Sequence, residues 1–136
     1  MKKLILSSLA TVLALTGCEE PVAEAPAKEE KLGDYTASGT EPFWSAEVKG
    51  ENITFSTPDG NDFTLPVARM NRTDTGWTVK GFSDQHNINL YITLGEECSD
   101  GMSDRAYADT VKVEVSDGGT LNGCGGDFEE GPDGPP

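Results

Sequence analysis

The sequence predicts an all-β domain, a small antiparallel meander barrel or flattened sandwich of about seven or eight strands held by one disulfide. Three observations lead there. Short stretches alternate apolar and polar residues, turn-forming residues interrupt them roughly every ten positions, and no window repeats apolar residues at helical spacing.

Taken in order, the first alternating stretch is residues 43–48, closed by Lys49-Gly50. Pro42 lacks an N–H for a sheet ladder, so Glu41-Pro42 marks a strand start. Phe43 and Trp44 then point to opposite faces: one ring enters the core, and the other caps a barrel end or forms a binding platform. Ile53 and Phe55 share a face opposite Asn52, Thr54 and Ser56. Thr57-Pro58-Asp59-Gly60 is a turn, with proline presetting one backbone angle and glycine closing the loop. Phe63, Leu65 and Val67 alternate next, and Pro66 among them indicates a sheet edge or a bulge. Asp74-Thr75-Gly76 turns the chain into Trp77-Thr78-Val79. Residues 86–93 form the clearest strand, with Ile88, Leu90 and Ile92 inward and Asn87, Asn89, Tyr91 and Thr93 outward. Val111, Val113 and Val115 repeat that pattern before a Ser-Asp-Gly-Gly turn and a last short strand at residues 120–124.

The amino terminus carries a different signal. Lys2 and Lys3 precede an apolar run at residues 4–15, too short for the roughly 20 residues that cross a bilayer, so it reads as the core of a signal peptide. Leu15-Thr16-Gly17-Cys18 resembles a lipobox, which implies cleavage after residue 17 and acylation of Cys18. The chain then divides into a signal peptide (1–17), the acylated cysteine and a Pro-, Glu- and Lys-rich tether (18–33), the β-domain (34–126) and an acidic Pro/Gly-rich tail (127–136) expected to be disordered. The expected location is the bacterial envelope, held by lipid. Glu19 rather than Asp after the cysteine favours the outer membrane if the host is Gram-negative.

Removing Lys2 and Lys3 from 10 basic residues leaves 8 against 24 acidic, a net charge of −16 for the mature chain. That balance disfavours nucleic acid, whose binding depends on Lys and Arg neutralising phosphates, and disfavours binding of the protein body to anionic lipid. Cys98 and Cys124 remain after Cys18, and an even pair in a small extracytoplasmic domain reads as a disulfide. Closing a loop with 26 residues of separation contributes ~3.5 kcal/mol at the upper end.

Several chemistries find too few residues. Asp59-Gly60-Asn61-Asp62 and the acids between Asp100 and Asp104 lack the twelve-residue run of a calcium loop. His86 is the only histidine and has no nucleophile motif beside it, so neither a hydrolase nor a zinc site is expected. Met102 with His86 supplies only two copper ligands, Cys98 being assigned to the disulfide. No cofactor, metal or catalytic residue is expected, and the chain is read as a non-enzyme.

The Glu-Pro-Phe-Trp segment at 41–44, the Cys-Ser-Asp-Gly-Met-Ser-Asp-Arg-Ala-Tyr run at 98–107 and the closing Leu-Asn-Gly-Cys at 121–124 together resemble a family of small bacterial envelope lipoproteins. Some members carry this module beside β-domains of the heat-shock-lipoprotein (META) type. The resemblance spans about residues 36–126 and implies envelope location and a β-rich fold, without an assigned reaction.

The expected function is therefore a lipid-anchored protein whose β-domain binds a small ligand, an envelope component or a protein. The candidate surface comprises Trp44, Asp100, Met102, Ser103, Asp104, Arg105 and Tyr107. The last six sit in a loop longer than any hairpin requires, with a thioether, a cation and an aromatic ring together. The alternative is inhibition of a basic lysozyme. Ser103-Asp104-Arg105-Ala106-Tyr107 is similar to the Ser-Gly-x-x-Tyr loop of membrane-anchored lysozyme inhibitors, with Asp104 in place of the glycine. A Cys18→Ser chain should escape both lipidation and lipoprotein-type cleavage, and should leave the membrane fraction on cell fractionation. Unchanged membrane association would refute the anchor.

Overall fold

The computed structural model describes Gly17 and residues 31–132. Cys18, nearly all of the signal segment, most of the tether and the last four residues lie outside the described part. Among the described residues there are nine strands: β1 (Tyr35–Thr40), β2 (Phe43–Lys49), β3 (Asn52–Ser56), β4 (Phe63–Arg72), β5 (Gly76–Phe82), β6 (Asn87–Thr93), β7 (Cys98–Ser99), β8 (Ala106–Val115) and β9 (Gly119–Glu129). Strands β1 to β6 pair in succession, β6 pairs with β8, β8 with β9 and β9 with β1, every pair antiparallel. The result is a closed eight-stranded barrel, with β7 added outside on β8.

The alternation seen in the sequence is the in–out alternation of that wall. Val48, Ile53, Val79, Ile88, Leu90, Val111 and Val113 are fully buried in the lumen, which is packed with side chains along its middle. Trp44 takes the core role, at 3% exposure, while Phe43 is 51% exposed. Pro66 sits where β4 changes partners, the first half pairing with β3 and the second with β5. Its missing N–H falls at that changeover, where pairing with β3 ends and pairing with β5 begins at Val67, and the register shift between Val67 and Arg69 follows at once. Of edge and bulge, the bulge is what forms. The turn at residues 57–60 closes with Gly60 N donating to Thr57 O at 3.0 Å.

Three features differ from the sequence reading. Strand β1 lies in a stretch whose small and polar residues gave no strand signal. Strand β9 continues to Glu129, three residues beyond the expected end of the domain, because Tyr107 and Ala106 of β8 pair with Phe128 and Glu129. At the other end, Leu32 packs against the core ahead of the expected boundary at Asp34.

The last closure, β9 to β1, involves only two residue pairs, Ala37 with Gly125 and Ser38 with Cys124. The strands approach so closely that a Cβ on Gly123 would overlap the Ser38 carbonyl, and one on Gly125 would press on the Tyr35 hydroxyl. Trp44 Nε1 donates to Asn122 O at 3.3 Å, linking β2 to β9 across β1. Cys98 of β7 is bonded to Cys124 of β9, so the disulfide fastens the added strand over the outside of this seam. Inside, Asp109 of β8 is 6% exposed and accepts the Tyr35 hydroxyl at 2.9 Å and the Gly95 amide at 2.9 Å.

Burial, and then the bond to Asp109, push the Tyr35 hydroxyl well above its ordinary value. An acid whose folded value is raised stabilises the fold below its unfolded value, about 10 for tyrosine, and that contribution is lost as the pH climbs beyond it. Tyr35→Phe should cost about 1.5–3 kcal/mol at neutral pH in denaturant unfolding, because a buried carboxylate loses a donor. It should also remove part of the stability loss of the wild type above about pH 10. An unchanged alkaline profile would exclude Tyr35 as its source.

Candidate functional site

One end of the barrel is open. The β1–β2, β3–β4, β5–β6 and β8–β9 turns converge there around a cavity of about 600 Å³, lined among others by Phe43, Phe55, Phe63, His86, Val115 and Leu121, with Asp59, Asp62 and Asp117 on the connecting turns. Each group is delivered by the end of a strand. Phe55, next to last in β3, pairs directly with Phe63, the first residue of β4, so the turn between them brings both rings to one wall, 5.4 Å apart. His86, just ahead of β6, lies flat on Phe63 with centroids at 4.6 Å and planes at 7°. Trp44 continues the row inward from Phe55 at 6.3 Å. Four rings thus run from the core to the mouth, each offset or tilted on its neighbour as aromatic quadrupoles prefer.

His86 owes its position to a tight turn. Ser83 N donates to His86 O at 2.7 Å, and Ser83 Oγ accepts the His86 amide at 3.1 Å. Its Nδ1 is shielded from solvent, has no hydrogen-bond partner among the described residues, and lies 3.8 Å from Asp117 Oδ2. The Asp117 side chain is largely exposed on the neighbouring β8–β9 turn. Asp62 serves the architecture, its Oδ1 accepting Thr57 N at 3.1 Å. The site therefore combines flat apolar walls, one imidazole atom without a partner and carboxylates at the mouth. It suits a ligand with an apolar or planar body and a positive group, since aromatic faces and carboxylates both attract a cation.

The residues expected to form the candidate surface lie elsewhere and are largely engaged with one another. Trp44 is in the core, so its ring is not presented at a surface. Asp100 organises the loop: Oδ1 accepts the Met102 amide at 2.9 Å and the Ser103 amide at 2.8 Å, and Oδ2 accepts the Ser103 hydroxyl at 2.6 Å. Its own carbonyl accepts the Thr40 hydroxyl at 2.8 Å, which ties the loop to β1. Arg105 Nε donates to Glu130 Oε1 at 3.1 Å while the guanidinium lies 4.5 Å from the Phe128 ring centre. Tyr107 packs on Phe128 at 5.5 Å. Met102 is the exception, 68% exposed at the loop tip, with Asp104 also at the surface. Among the described residues, no group of three or more His, Cys, Asp or Glu side chains is placed to hold a metal ion.

The sequence alone does not reveal the cavity, because its pattern places His86 at the start of a strand and Phe55 and Phe63 in two separate alternating stretches. One signal was present: aromatic residues occur at the strand ends on both sides of the Thr-Pro-Asp-Gly turn. Comparison of the chain with protein-family models, curated proteins and solved structures returned no match.

The Ser103 hydroxyl, and then the Ser103 and Met102 amides, hold the Asp100 carboxyl below the usual carboxylate range. A carboxylate lowered in the folded state orders the loop above its unfolded value of about 4, and that order is lost as the pH falls through the folded value. Hydrogen exchange at the Met102 and Ser103 amides should therefore stay slow at neutral pH. It should quicken in the Asp100→Ala chain, with the barrel amides unaffected; equal protection in both chains would refute the loop's dependence on Asp100.

Proposed function

We propose that this chain is a lipid-anchored, non-enzymatic envelope protein whose barrel binds a small ligand in the open end, the ligand having an apolar or planar body and a cationic group. One observation carries the reading: the aromatic row of Phe55, Phe63 and His86 ends in a cavity of about 600 Å³ with carboxylates at its mouth. That volume lies in the usual range for small-molecule sites, roughly 300–1,000 Å³. The anchor is supported by the basic start, the apolar run and Leu15-Thr16-Gly17-Cys18. The family resemblance of residues 36–126 supports the same location.

Inhibition of a basic lysozyme is the second reading, supported by the net charge of −16. The Ser103–Tyr107 segment that suggested it is occupied by contacts within the chain: Ser103 with Asp100, Arg105 with Glu130 and Tyr107 with Phe128. The barrel end is therefore the better-supported site.

Calorimetric titration of the mature chain with decyltrimethylammonium, below its micelle concentration, tests the proposal. Saturable binding at one site is expected, with tetramethylammonium and the matching neutral alcohol both binding at least tenfold more weakly. His86→Ala and Asp117→Asn together should weaken binding by about five- to thirtyfold, which corresponds to roughly 1–2 kcal/mol. If tetramethylammonium binds equally well, surface charge alone is responsible and the cavity reading fails. A lysozyme titration run alongside, with stoichiometric inhibition insensitive to both substitutions, would favour the second reading.

A further inference from the structure

The charge of this protein is unevenly distributed. Between Phe63 and Thr93, the stretch that forms β4, β5 and β6, there are three basic residues, Arg69, Arg72 and Lys80, and two acidic ones, Asp74 and Asp84. Taking these from the 8 basic and 24 acidic residues of the mature chain leaves 5 and 22, so the rest of the protein carries −17 while this wall carries +1. Both acids lie in the turns, and the strands of this wall have none.

Within that wall, Arg69 and Lys80 are register partners across β4 and β5, both directed outward beside Met70 and Val79, which face the core. Like charges placed directly opposite repel. Among the described residues no carboxylate lies within ion-pair distance of either. The next acid along the same row, Glu114 of β8, is already engaged by the Tyr91 hydroxyl at 3.0 Å and Lys112 Nζ at 3.4 Å. Phe82 of β5 is 65% exposed beside the pair, and Asn87 and Asn89 of β6 complete a shallow groove with them. The wall thus presents two cations without counter-charges, two amides and an exposed aromatic ring, in a protein that is otherwise strongly anionic.

We propose that this face, centred on Arg69, Lys80 and Phe82, docks on the anionic phospholipid headgroups of the membrane that holds the protein. The proposal rests on the anchoring of Cys18. With 16 residue steps from Cys18 to Asp34, the chain can carry the barrel no more than about 55 Å from the lipid, so an anionic surface is always within reach. An acidic body would turn away from such a surface, and only its one non-acidic wall can approach. At physiological ionic strength the charge on the far wall is screened, because the Debye length is about 8 Å. Cations beside an exposed aromatic ring match the headgroup layer, where phosphates attract the first and the interface accommodates the second.

The test uses the full mature lipoprotein, reconstituted into vesicles of brominated phosphatidylcholine with or without one-third phosphatidylglycerol. Phe82→Trp supplies the reporter, and Thr36→Trp on the far wall the control, since Trp44 and Trp77 are buried. Quenching of the residue-82 reporter should be roughly twofold or more greater in the anionic vesicles than in the neutral ones, and should fall to the neutral level in high salt. Adding Arg69→Glu and Lys80→Glu should abolish the difference while the protein still floats with the vesicles, and the Thr36→Trp reporter should respond to neither lipid nor charge reversal. Equal quenching in both vesicle types, or quenching indifferent to the charge reversal, would overturn the docking face while leaving the anchor intact. Failure of the chain to float with vesicles would overturn the anchor, and the docking proposal with it.

Discussion

Two residue pairs, Ala37 with Gly125 and Ser38 with Cys124, close this barrel, and the remaining features can be read as consequences of making so short a seam hold. A sheet of this size left open would present two rows of unpaired backbone groups, which invite association with other chains. Closure removes both rows, at the cost of bringing β1 and β9 into tight approach. The glycines at 123 and 125 permit that approach. Trp44 spans it from within by its bond to Asn122, and the Cys98–Cys124 disulfide spans it from outside. The residues 94–105 between β6 and β8, too long for a hairpin, find their use here. They carry Cys98 to the seam and Asp100 to the Thr40 hydroxyl, which binds the strap to β1 as well.

The seam also explains why the two ends of the barrel differ. At the end where the chain enters and leaves, Tyr35, Asp109 and the Gly95 amide form a buried hydrogen-bonded set, and β9 runs past the seam to Glu129. Such a set stabilises only when each member is satisfied, and it borders a second cavity of about 520 Å³ lined by Leu32, Trp77 and Leu94 among others. At the opposite end four turns meet without a covering element, and aromatic residues at the strand ends line the gap. The interior is filled between the two, so the protein is a packed barrel with a concavity at each end rather than a pore. Charge adds a second asymmetry, around the wall rather than along the axis: the mouth and most of the surface are acidic, and the β4–β6 wall is not.

The strands with strict two-residue periodicity were legible in the sequence, because a buried wall demands an apolar residue at every second position. Ile88, Leu90 and Ile92, and likewise Val111, Val113 and Val115, are all buried as the pattern requires. The turn at residues 57–60 and the Cys98–Cys124 pair were legible for the same kind of reason, since their chemistry is local or combinatorially simple. Strand β1 was not, because its inward positions at 37 and 39 are alanine and glycine, chosen for closeness and not for apolar bulk. The end of β9 was hidden in the same way, where Asp-Phe-Glu at 127–129 reads as the start of a tail although Phe128 anchors it on Tyr107 and Arg105. The cavity was the least legible feature. Phe55 and Phe63 are brought together by strand pairing, but His86 lies 31 residues beyond Phe55, and only the convergence of turns at one barrel end adds it to them.

If closure at β1–β9 is the constraint on which the architecture depends, its amides should open only when the whole barrel unfolds. Native-state hydrogen exchange measured residue by residue across a range of denaturant tests this directly. The hydrogen-bonded amides of β1 and β9 at the seam should exchange with the same free energy and denaturant slope as the central amides of β6 and β8, Leu90 and Val113 among them. Seam amides that open at much lower free energy, while β6 and β8 remain protected, would show the barrel to be an open sheet held together by its disulfide, and would contradict this account.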